Sequence, residues 1–234
     1  MKNEFSIVIP IFNESENILK LVKEIKNTLK DNYLYEIIIV DDCSSDNIDT
    51  IMRNQYFSNC IIIKHKKNMG QSESIKSGVL KSKFDSIITI DGDLQNDPND
   101  IPNLIKIFQN KEANYDLVAG LRIKRMDSLV KKISSLSANY IRKIVLQDNC
   151  NDTGCGLKIF TKKIFLEFPF FNGIHRFLPA LFIGYGYNTY FEPVNHRKRT
   201  AGLSKYGTLS RLILGVKDMI KVKKIINKKR NKNV

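Results

Sequence analysis

The sequence lacks the features of a disulfide-linked, zinc-binding or membrane-spanning chain. Its four cysteines form no CxxC pair, and none has a histidine at the spacing of a zinc site. We therefore expect reduced thiols. No apolar run approaches the ~18 to 20 residues that a helix needs to cross a bilayer. No secretory signal precedes the first predicted strand, so we expect a cytoplasmic protein.

Common nucleotide-binding and nucleic-acid-binding motifs are also absent. The sequence has no GxGxxG fingerprint and no P-loop. The segment PIFNESENI, which follows the first predicted strand, has no glycine, whereas a nucleotidyltransferase usually has a Gly-rich basic loop there. No helix-turn-helix, zinc-finger or RNP pattern accompanies the formal net charge of +14. A nucleotidyltransferase and a basic nucleic-acid-binding protein are therefore the less favoured alternatives.

The charge is divided unevenly along the chain. Residues 1–100 contain 12 Lys and Arg against 16 Asp and Glu, a net charge of −4, whereas residues 101–234 contain 26 against 8, a net charge of +18. An evenly basic surface would only favour solubility. This separation instead indicates an acidic half of a site facing a basic half, and therefore an anionic partner.

The first half of the chain predicts a parallel α/β sheet. Short β-branched runs without polar alternation, typical of strands covered on both faces, occupy residues 5–10, 36–40, 60–63 and 86–90. Apolar residues between Ile18 and Leu29 recur at helical spacing, and residues 74–80 and 101–108 predict two further helices. This alternation favours a doubly wound, mostly parallel sheet flanked by helices.

The second half is less regular. Residues 129–145 predict a long amphipathic helix, residues 157–161 and 187–194 predict strands, and residues 208–226 predict a last helix. A basic tail, residues 227–234, is expected to be disordered. Without a repeat or a Pro-, Gly- or Ser-rich linker, we predict one domain over residues 1–226, with an irregular basic C-terminal lobe and no transmembrane helix.

Polar residues follow three of the predicted strands, where ligands bind in open parallel sheets. Residues 10–14 follow the first strand, Asp41 and Asp42 the second, and Asp91 and Asp93 the fourth. Asp91 and Asp93 flank Gly92 and can point to one place, where their charges would repel without a cation. Oxygen ligands of this kind suit Mg2+ or Mn2+.

Simpler structural interpretations exist for the neighbouring acids. Asp97 and Asp100 more simply cap the helix that follows. Asp41 or Asp42 can cap a turn with Ser44, and Pro10 can simply end a strand. For Asp91 and Asp93 the metal is favoured, because two other strand ends are polar as well.

Eight segments carry a family resemblance. PIFNESENI, IIIVDDCSSDN, NMGQSESIKSGV and TIDGDLQNDP resemble, in order and spacing, the nucleotide-sugar half of family 2 inverting glycosyltransferases, which have the GT-A fold. VAGLRIKRMDS, DTGCGLKIF, HRFLPAL and NHRKRTAGLSKYG are similar to the dolichol-phosphate mannosyltransferase-like subgroup, which glycosylates polyprenyl phosphates. The resemblance covers residues 5–207. It implies a nucleotide-sugar half over residues 1–120 and an acceptor half over residues 121–226.

The resemblance also implies a set of site residues and cofactors. A nucleoside-diphosphate sugar of the UDP or GDP type would be bound by Pro10, Phe12, Asn13, Glu14, Asp41, Asp42 and Lys205. Mg2+ or Mn2+ would be held against its diphosphate by Asp91, Asp93 and Gln95. The catalytic candidates are Asp93, Arg122, Asp152, His175 and Arg199. Arg125, Arg176 and Arg197 lie in the same motifs, and GLSKYG predicts a loop that closes over the donor.

The acceptor determines what the site must do. A lipid phosphate is largely ionised at pH 7, with a second pKa of about 6, and needs no general base, whereas arginines would hold it. A hydroxyl acceptor, in cell-surface polysaccharide or lipid synthesis, would need a base, for which Asp152 is the best candidate. Under the lipid-phosphate hypothesis Asp152 instead orders the acceptor loop, and His175 is either a site residue or a packed one.

The basic C-terminal residues suggest a partner. From Lys221 onward there are seven Lys or Arg and no acid, typical either of a solvated end or of a helix attracted to anionic lipid. Many relatives in the resembling subgroup carry C-terminal transmembrane helices, which this sequence lacks. We therefore expect a peripheral protein on the inner membrane face that uses this helix, a small membrane-protein partner or the lipid itself. Nucleic acid is not expected as a partner, and self-association stays open.

Overall fold

A computed structural model of the chain describes residues 4–122, 142–198 and 208–231. The described strands are β1 (Glu4–Ile11), β2 (Leu34–Asp41), β3 (Cys60–Lys64), β4 (Ser86–Thr89), β5 (Leu117–Arg122), β6 (Lys158–Thr161) and β7 (Thr189–Val194). The described helices are α1 (Ser15–Leu29), α2 (Ile48–Ile51), α3 (Gln71–Lys81), α4 (Ile101–Phe108), α5 (Lys162–Glu167), α6 (Leu178–Gly184) and α7 (Thr208–Arg230). Residues 142–146 are also helical.

These strands form one sheet in the order β3-β2-β1-β4-β6-β5-β7. β1 pairs in parallel with β2 and β4, β2 with β3, and β5 with β7, whereas β6 runs antiparallel between β4 and β5. The predicted mostly parallel α/β sheet is therefore confirmed. Pro10 is tolerated inside β1 because it lies beyond Val8 and Thr89, the last pair between β1 and β4.

Helices cover both faces of the sheet. Phe5, Ile7 and Ile9 of β1 point to one face, where they form a buried cluster with α1 and α4. Val8 points to the other face and joins a cluster with α3, α5, α6 and the last turns of α7. Burial on both faces explains why these strands read as continuous apolar runs. The sheet thus holds the loops at its carboxyl edge on a rigid support.

The four predicted strands and three predicted helices of the first half are all present, with ends that differ by up to three residues. β5 was not predicted, although the run Leu117-Val118-Ala119 is buried and apolar. α7 continues to Arg230, so the first four residues of the expected disordered tail are helical. Most of the predicted helix 129–145 and the GLSKYG segment lie outside the described residues.

The hydropathy of the helices and the state of the cysteines are also defined for the described residues. None of the helices among them has the length and hydropathy of a membrane span. The structure has Cys43, Cys60, Cys150 and Cys155 as free cysteines.

Candidate active site

The ends of β2, β1 and β4 meet at the carboxyl edge of the sheet. Asp41 pairs with Ile11, and the backbone N–H of Asp42 donates to the carbonyl of Ile11 at 2.9 Å. The turn after β4 reaches the same place because Gly92 has no side chain: a Cβ there would lie 2.7 Å from Ile11 Cγ2 and 3.3 Å from the Pro10 carbonyl. The predicted nucleotide and metal residues are therefore neighbours.

The loops after β1 and β2 are joined by hydrogen bonds. Asn13, at φ 56°, donates its backbone N–H to Ser44 Oγ at 2.8 Å, and its side-chain Oδ1 accepts from the backbone N–H of Ser45 at 2.7 Å. Asp41 Oδ1 accepts from the backbone N–H of Ser44 at 3.0 Å. Glu14 is buried and accepts from Asn17 Nδ2 at 2.7 Å. These hydrogen bonds hold the two loops that form the predicted nucleotide pocket in place.

Asp42 anchors the loop that leads into α3. Its carboxylate accepts from the backbone N–H groups of Met69 at 2.9 Å and Gly70 at 2.7 Å. It also contacts His65 Nδ1 at 2.7 Å, and His65 Nε2 lies 2.9 Å from Ser77 Oγ on α3. Asp42 is 3% exposed, so its charge is balanced mainly by these partners. The structure therefore gives Asp42 an evident scaffold role at the pocket.

Asp91 and Asp93 follow β4, two residues apart. Burial, and second the charge of Asp93, raise the pKa of Asp91 to about 6. Asp91 Oδ1 accepts from Gln71 Nε2 at 2.8 Å, and the absence of a side chain at Gly156 leaves room for its carboxyl group. Asp93 Oδ1 accepts from the backbone N–H of Gln95 at 3.1 Å. The two acids thus repel each other at a partly enclosed place.

This donor set fits a hard dication. Two crowded carboxylates, one with a raised pKa, are the arrangement that a divalent ion would stabilise. The amide nitrogen of Gln95 lies 3.4 Å from His196 Nε2, and a metal would bind the amide oxygen instead. Within the described ranges no cluster of three or more His, Cys, Asp or Glu side chains is placed to hold a metal. Mg2+ and Mn2+ commonly complete such sparse shells with water and phosphate.

Arg122 and Asp152 form an ion pair near Asp91. Arg122 Nε donates to Asp152 Oδ2 at 2.6 Å, and Arg122 NH2 donates to Oδ1 at 2.7 Å. Asp152 Oδ1 also accepts from the backbone N–H of Gly154 at 3.1 Å. The guanidinium is close enough to lower the pKa of Asp91, against the larger effects of burial and Asp93. Asp152 is therefore committed to Arg122 and to its own loop.

A cleft of about 560 Å3 opens beside Asp91. Lys158, which is 4% exposed, lines it and donates to the carbonyl of Cys155. His175 lines it from the turn before α6. Burial first, and then the charges of Lys158 and Arg176, lower the pKa of His175 to about 3, so its ring is neutral. The cleft thus combines cationic, anionic and neutral polar groups.

Several other predicted residues lie apart from this centre. Arg197 donates to Glu24 at 2.6 Å and to Asp97 at 2.7 Å, so it ties the segment after β7 to α1. Asp97 caps the short helix Pro98–Asp100 through the backbone N–H of Asn99, as predicted. Arg176, by contrast, lines the cleft beside Asp91 and pairs there with Asp218 of α7 at 2.6 Å. Arg125, Arg199 and Lys205 lie outside the described residues, and Phe12 lies on the loop after β1.

Sequence reasoning missed four residues at the site. Lys158 is the first residue of β6 and lies between the buried apolar Leu157 and Ile159; a lysine in this apolar run is the available signal. Gln71 and Ser72 lie in the motif NMGQSESIKSGV, but the motif alone indicates no role for either residue. His196 reaches Gln95 only because residues 96 and 196 pair as an isolated β-bridge, a contact across 100 residues that no local pattern reveals.

Comparisons with known proteins agree with this geometry. The model of the family "Glycosyl transferase family 2" matches residues 6–168. The chain is 33% identical over 226 residues to the dodecaprenyl-phosphate galacturonate synthase of Rhizobium johnstonii, covering 94% of this chain and 66% of that protein. It is 36% identical over 219 residues to the undecaprenyl-phosphate 4-deoxy-4-formamido-L-arabinose transferase of Yersinia pestis, covering 92% and 66%. The chain thus spans about two thirds of the length of these relatives.

Solved structures share the fold. Glucosyl-3-phosphoglycerate synthase from Mycobacterium tuberculosis, crystallised with UDP, superposes with a TM-score of 0.72 at 17% identity, covering 95% of this chain and 81% of that chain. The same enzyme, crystallised with Mn2+, UDP and glucosyl-3-phosphoglycerate, superposes with a TM-score of 0.70 at 16% identity, covering 93% and 80%. At this level of identity the likeness concerns the fold, and it agrees with the predicted GT-A architecture.

Proposed function

Because this chain belongs to glycosyl transferase family 2, we propose that it transfers a sugar from a nucleoside-diphosphate sugar to a polyprenyl phosphate. Residues 1–226 would act as one glycosyltransferase domain, with the donor bound by residues 1–120 and the acceptor by residues 121–226. Two relatives that are 33% and 36% identical are named for polyprenyl-phosphate acceptors, which supports this choice of acceptor.

The observation that carries the choice of acceptor is the ion pair between Arg122 and Asp152. A hydroxyl acceptor needs a general base, and Asp152 was the candidate. Both of its oxygens accept hydrogen bonds from Arg122, so the carboxylate is engaged in an ion pair rather than directed at an acceptor hydroxyl. His175 is no better suited, because its pKa is lowered to about 3. A phosphate acceptor, already ionised, needs neither.

The reaction then requires positioning more than proton transfer. A lipid phosphate oxygen attacks the anomeric carbon as the bond from that carbon to the nucleoside diphosphate breaks, which inverts the configuration. The electron pair leaves with the diphosphate, and no proton moves. Mg2+ or Mn2+ held by Asp91, Asp93 and Gln95 would neutralise the leaving group. Arg122 and Lys158, both near Asp91, favour anionic groups at this place.

We also propose that the protein works at the inner membrane face, with α7 against the lipid. Val216 and Ile220 of this helix are 46% and 50% exposed. Four lysines, Lys217, Lys221, Lys224 and Lys228, are exposed on the same helix, whereas Val222 and Ile226 are buried against the domain. Exposed apolar and cationic side chains together suit an anionic bilayer surface.

A product assay tests the proposal. Radiolabelled UDP-sugars and GDP-sugars would be incubated with the protein, Mn2+ and vesicles that contain undecaprenyl phosphate. We expect a lipid product that releases its sugar in mild acid, as a glycosyl phosphate does. The matched acceptor control is undecaprenol, which has the same chain without the phosphate. Transfer to undecaprenol or to a soluble sugar hydroxyl, giving an acid-resistant product, would instead support a hydroxyl acceptor.

A further inference from the structure

The cleft beside Asp91 is positioned to receive the sugar of the donor. Its volume of about 560 Å3 lies within the range of roughly 300 to 1,000 Å3 that is usual for small-ligand sites. Gln71, the first residue of α3, joins this wall to Asp91 through its 2.8 Å hydrogen bond. If the diphosphate binds at Asp91, the attached sugar has this cleft in front of it. The groups that line the cleft then decide which sugars fit.

His175 is held in the cleft wall by one defined contact. Its Nδ1 lies 2.6 Å from Ser72 Oγ. Ser72 Oγ in turn accepts the backbone N–H of Gly173 at 2.8 Å. These contacts connect the start of α3 to the turn before α6 and fix the plane of the imidazole. The ring is therefore oriented before any ligand arrives.

The hydrogen-bond pattern around Ser72 selects the tautomer of His175. A serine hydroxyl has one proton to donate. Among the described residues, the acceptor in reach of the Ser72 hydroxyl proton is Nδ1 of His175. Nδ1 therefore accepts this hydrogen bond and carries no proton of its own. A neutral imidazole then has its proton on Nε2. Within the described part of the chain no residue hydrogen-bonds Nε2, and His175 lines the cleft.

We propose that His175 recognises the donor sugar by donating a hydrogen bond from Nε2 to an oxygen atom of that sugar. This inference rests on the proposed function, because it assumes that a nucleotide sugar binds at the site. It gives His175 a role in sugar specificity, and this role involves no proton transfer. The neutral ring suits this role, because a neutral donor can recognise a hydroxyl group without attracting phosphate away from Arg122 and Lys158. The ligand is thus a sugar hydroxyl, or another oxygen acceptor on the same ring.

Two substitutions separate this role from a purely structural one. The amide nitrogen of glutamine can occupy the place of Nε2, whereas asparagine reaches only the place of Nδ1. His175→Gln therefore keeps a donor in the cleft, and His175→Asn keeps only a partner for Ser72. If His175 served packing alone, His175→Asn would be the better tolerated of the two.

The test measures binding, so it does not depend on turnover. Calorimetry with Mn2+ would compare UDP with UDP-glucose, UDP-galactose, UDP-N-acetylglucosamine and UDP-galacturonate, and GDP with GDP-mannose. The tightest sugar would then be replaced by its series of monodeoxy analogues. In the wild type we expect one analogue to bind about tenfold more weakly than its parent, as the loss of one hydrogen bond implies. That discrimination should persist in His175→Gln and fall below about twofold in His175→Asn.

His65→Asn is the matched control. His65 also contacts a serine of α3, Ser77, but it does not line the cleft. This variant should lose stability and keep the wild-type discrimination. Equal discrimination in wild type and His175→Asn overturns the inference, as does a loss in His65→Asn of the same size. If discrimination depends on His175 but no sugar reaches a lipid phosphate, the proposed function fails and the inference stands.

Discussion

Arg122 and Asp152 meet through two parallel hydrogen bonds, Nε to Oδ2 at 2.6 Å and NH2 to Oδ1 at 2.7 Å. The pair joins the end of β5 to the loop over residues 152–156, which borders the cleft. Its planar geometry fits arginine and carboxylate specifically. We interpret it as a clamp that keeps the acceptor loop in place and holds one cation near the leaving group.

The first prediction concerns this clamp. Asp152→Asn removes the charge and one of the two accepting oxygens, so we expect kcat/KM to fall by roughly 10- to 100-fold, in the range of one or two charge-assisted hydrogen bonds. Because Asp152 would be a positioning residue, the pH dependence of kcat/KM should keep its shape. Arg122→Lys, which retains charge without the fork, should show a similar loss.

A pH profile between 5 and 9 checks this prediction. If Asp152 were the general base, Asp152→Asn would lose more activity. The decrease of kcat/KM at low pH would also disappear from the pH profile of this variant. That outcome would contradict the clamp and favour a hydroxyl acceptor.

The second prediction concerns the metal. With UDP or GDP present, Mn2+ should raise the melting temperature of the wild-type protein, and EDTA should reverse the increase. Asp91→Asn and Asp93→Ala should abolish this shift, because each removes an anionic ligand. Asp91→Asn should also raise the melting temperature without ligand, since it removes the cost of burying a charge at this position and, second, the repulsion between Asp91 and Asp93. Differential scanning fluorimetry measures both effects.

Asp97→Asn is the control for the metal experiment. Asp97 is a nearby carboxylate that pairs with Arg197 and caps a turn. Its substitution should lower the melting temperature and leave the shift by Mn2+ and nucleotide intact. The proposed metal site would be contradicted if Mn2+ with nucleotide raised the melting temperature of Asp93→Ala as much as that of the wild type. Turnover that survives this substitution would contradict it as well.

The fold of the first half was predictable because its signals are local. β1, β2 and β4 are apolar runs whose burial on both faces leaves no alternation, and α1 repeats its apolar residues at helical spacing. β5 was harder to predict, because Leu117–Arg122 includes a glycine and ends in polar residues. Its strand state depends on pairing with β6 and β7, which follow it by at least 35 residues.

The site was predictable where chemistry is visible in the residue type, and less so where it depends on long-range contacts. Asp91 and Asp93 draw attention because two acids end an apolar strand. By contrast, the partners of Asp42 are His65 and the backbone of residues 69 and 70, which come together only when β2 and β3 pair. The contact between Ser72 and His175 spans 103 residues, and no spacing rule indicates it.

The third prediction follows from these contacts of Asp42. Asp42→Asn keeps the shape of the side chain but removes its charge. One oxygen that accepts from the backbone N–H of residue 69 or 70 is then replaced by an NH2 group, which cannot accept that hydrogen bond. We expect the free energy of unfolding to fall by about 2 to 3 kcal/mol, the range for charge-assisted hydrogen bonds. Urea denaturation measures this loss. Asp49→Asn is the control, since Asp49 is 64% exposed and its pair with Lys64 should contribute about 0 to 1 kcal/mol. Equal losses would argue against an anchoring role for Asp42.

The fourth prediction is a pH dependence of stability. The pKa of His175 is about 3 in the fold, against 6.5 for the unperturbed side chain, because burial and the charges of Lys158 and Arg176 oppose protonation. Between these values the unfolded chain binds the extra proton, so this group makes the protein less stable as the pH falls below 6.5. The slope cannot exceed about 1.4 kcal/mol per pH unit, the value for one proton.

His175→Gln isolates this contribution, since glutamine does not titrate. Chemical denaturation at pH 7.5, 6.0 and 5.0 should show a shallower loss of stability for His175→Gln than for the wild type, with the difference growing toward pH 5. His65→Gln serves as the comparison, because His65 faces the carboxylate of Asp42 rather than cations. Identical slopes for wild type and His175→Gln would mean that the ring is not held neutral.

The fifth prediction concerns α7 as the membrane-facing helix. Replacing Lys217, Lys221, Lys224 and Lys228 by glutamate should reduce binding to vesicles of phosphatidylglycerol and phosphatidylcholine at least tenfold, because each lysine near an anionic surface contributes about 1 kcal/mol. The control changes the same number of lysines outside α7: Lys30, Lys81, Lys83 and Lys111, all exposed. Since both variants alter net charge equally, only the position of the charges differs. Sedimentation with vesicles at 50 and 300 mM salt should show strong, salt-sensitive binding for the wild type and the control. If both variants lost binding alike, the attraction would come from net charge, and α7 would not define a membrane face.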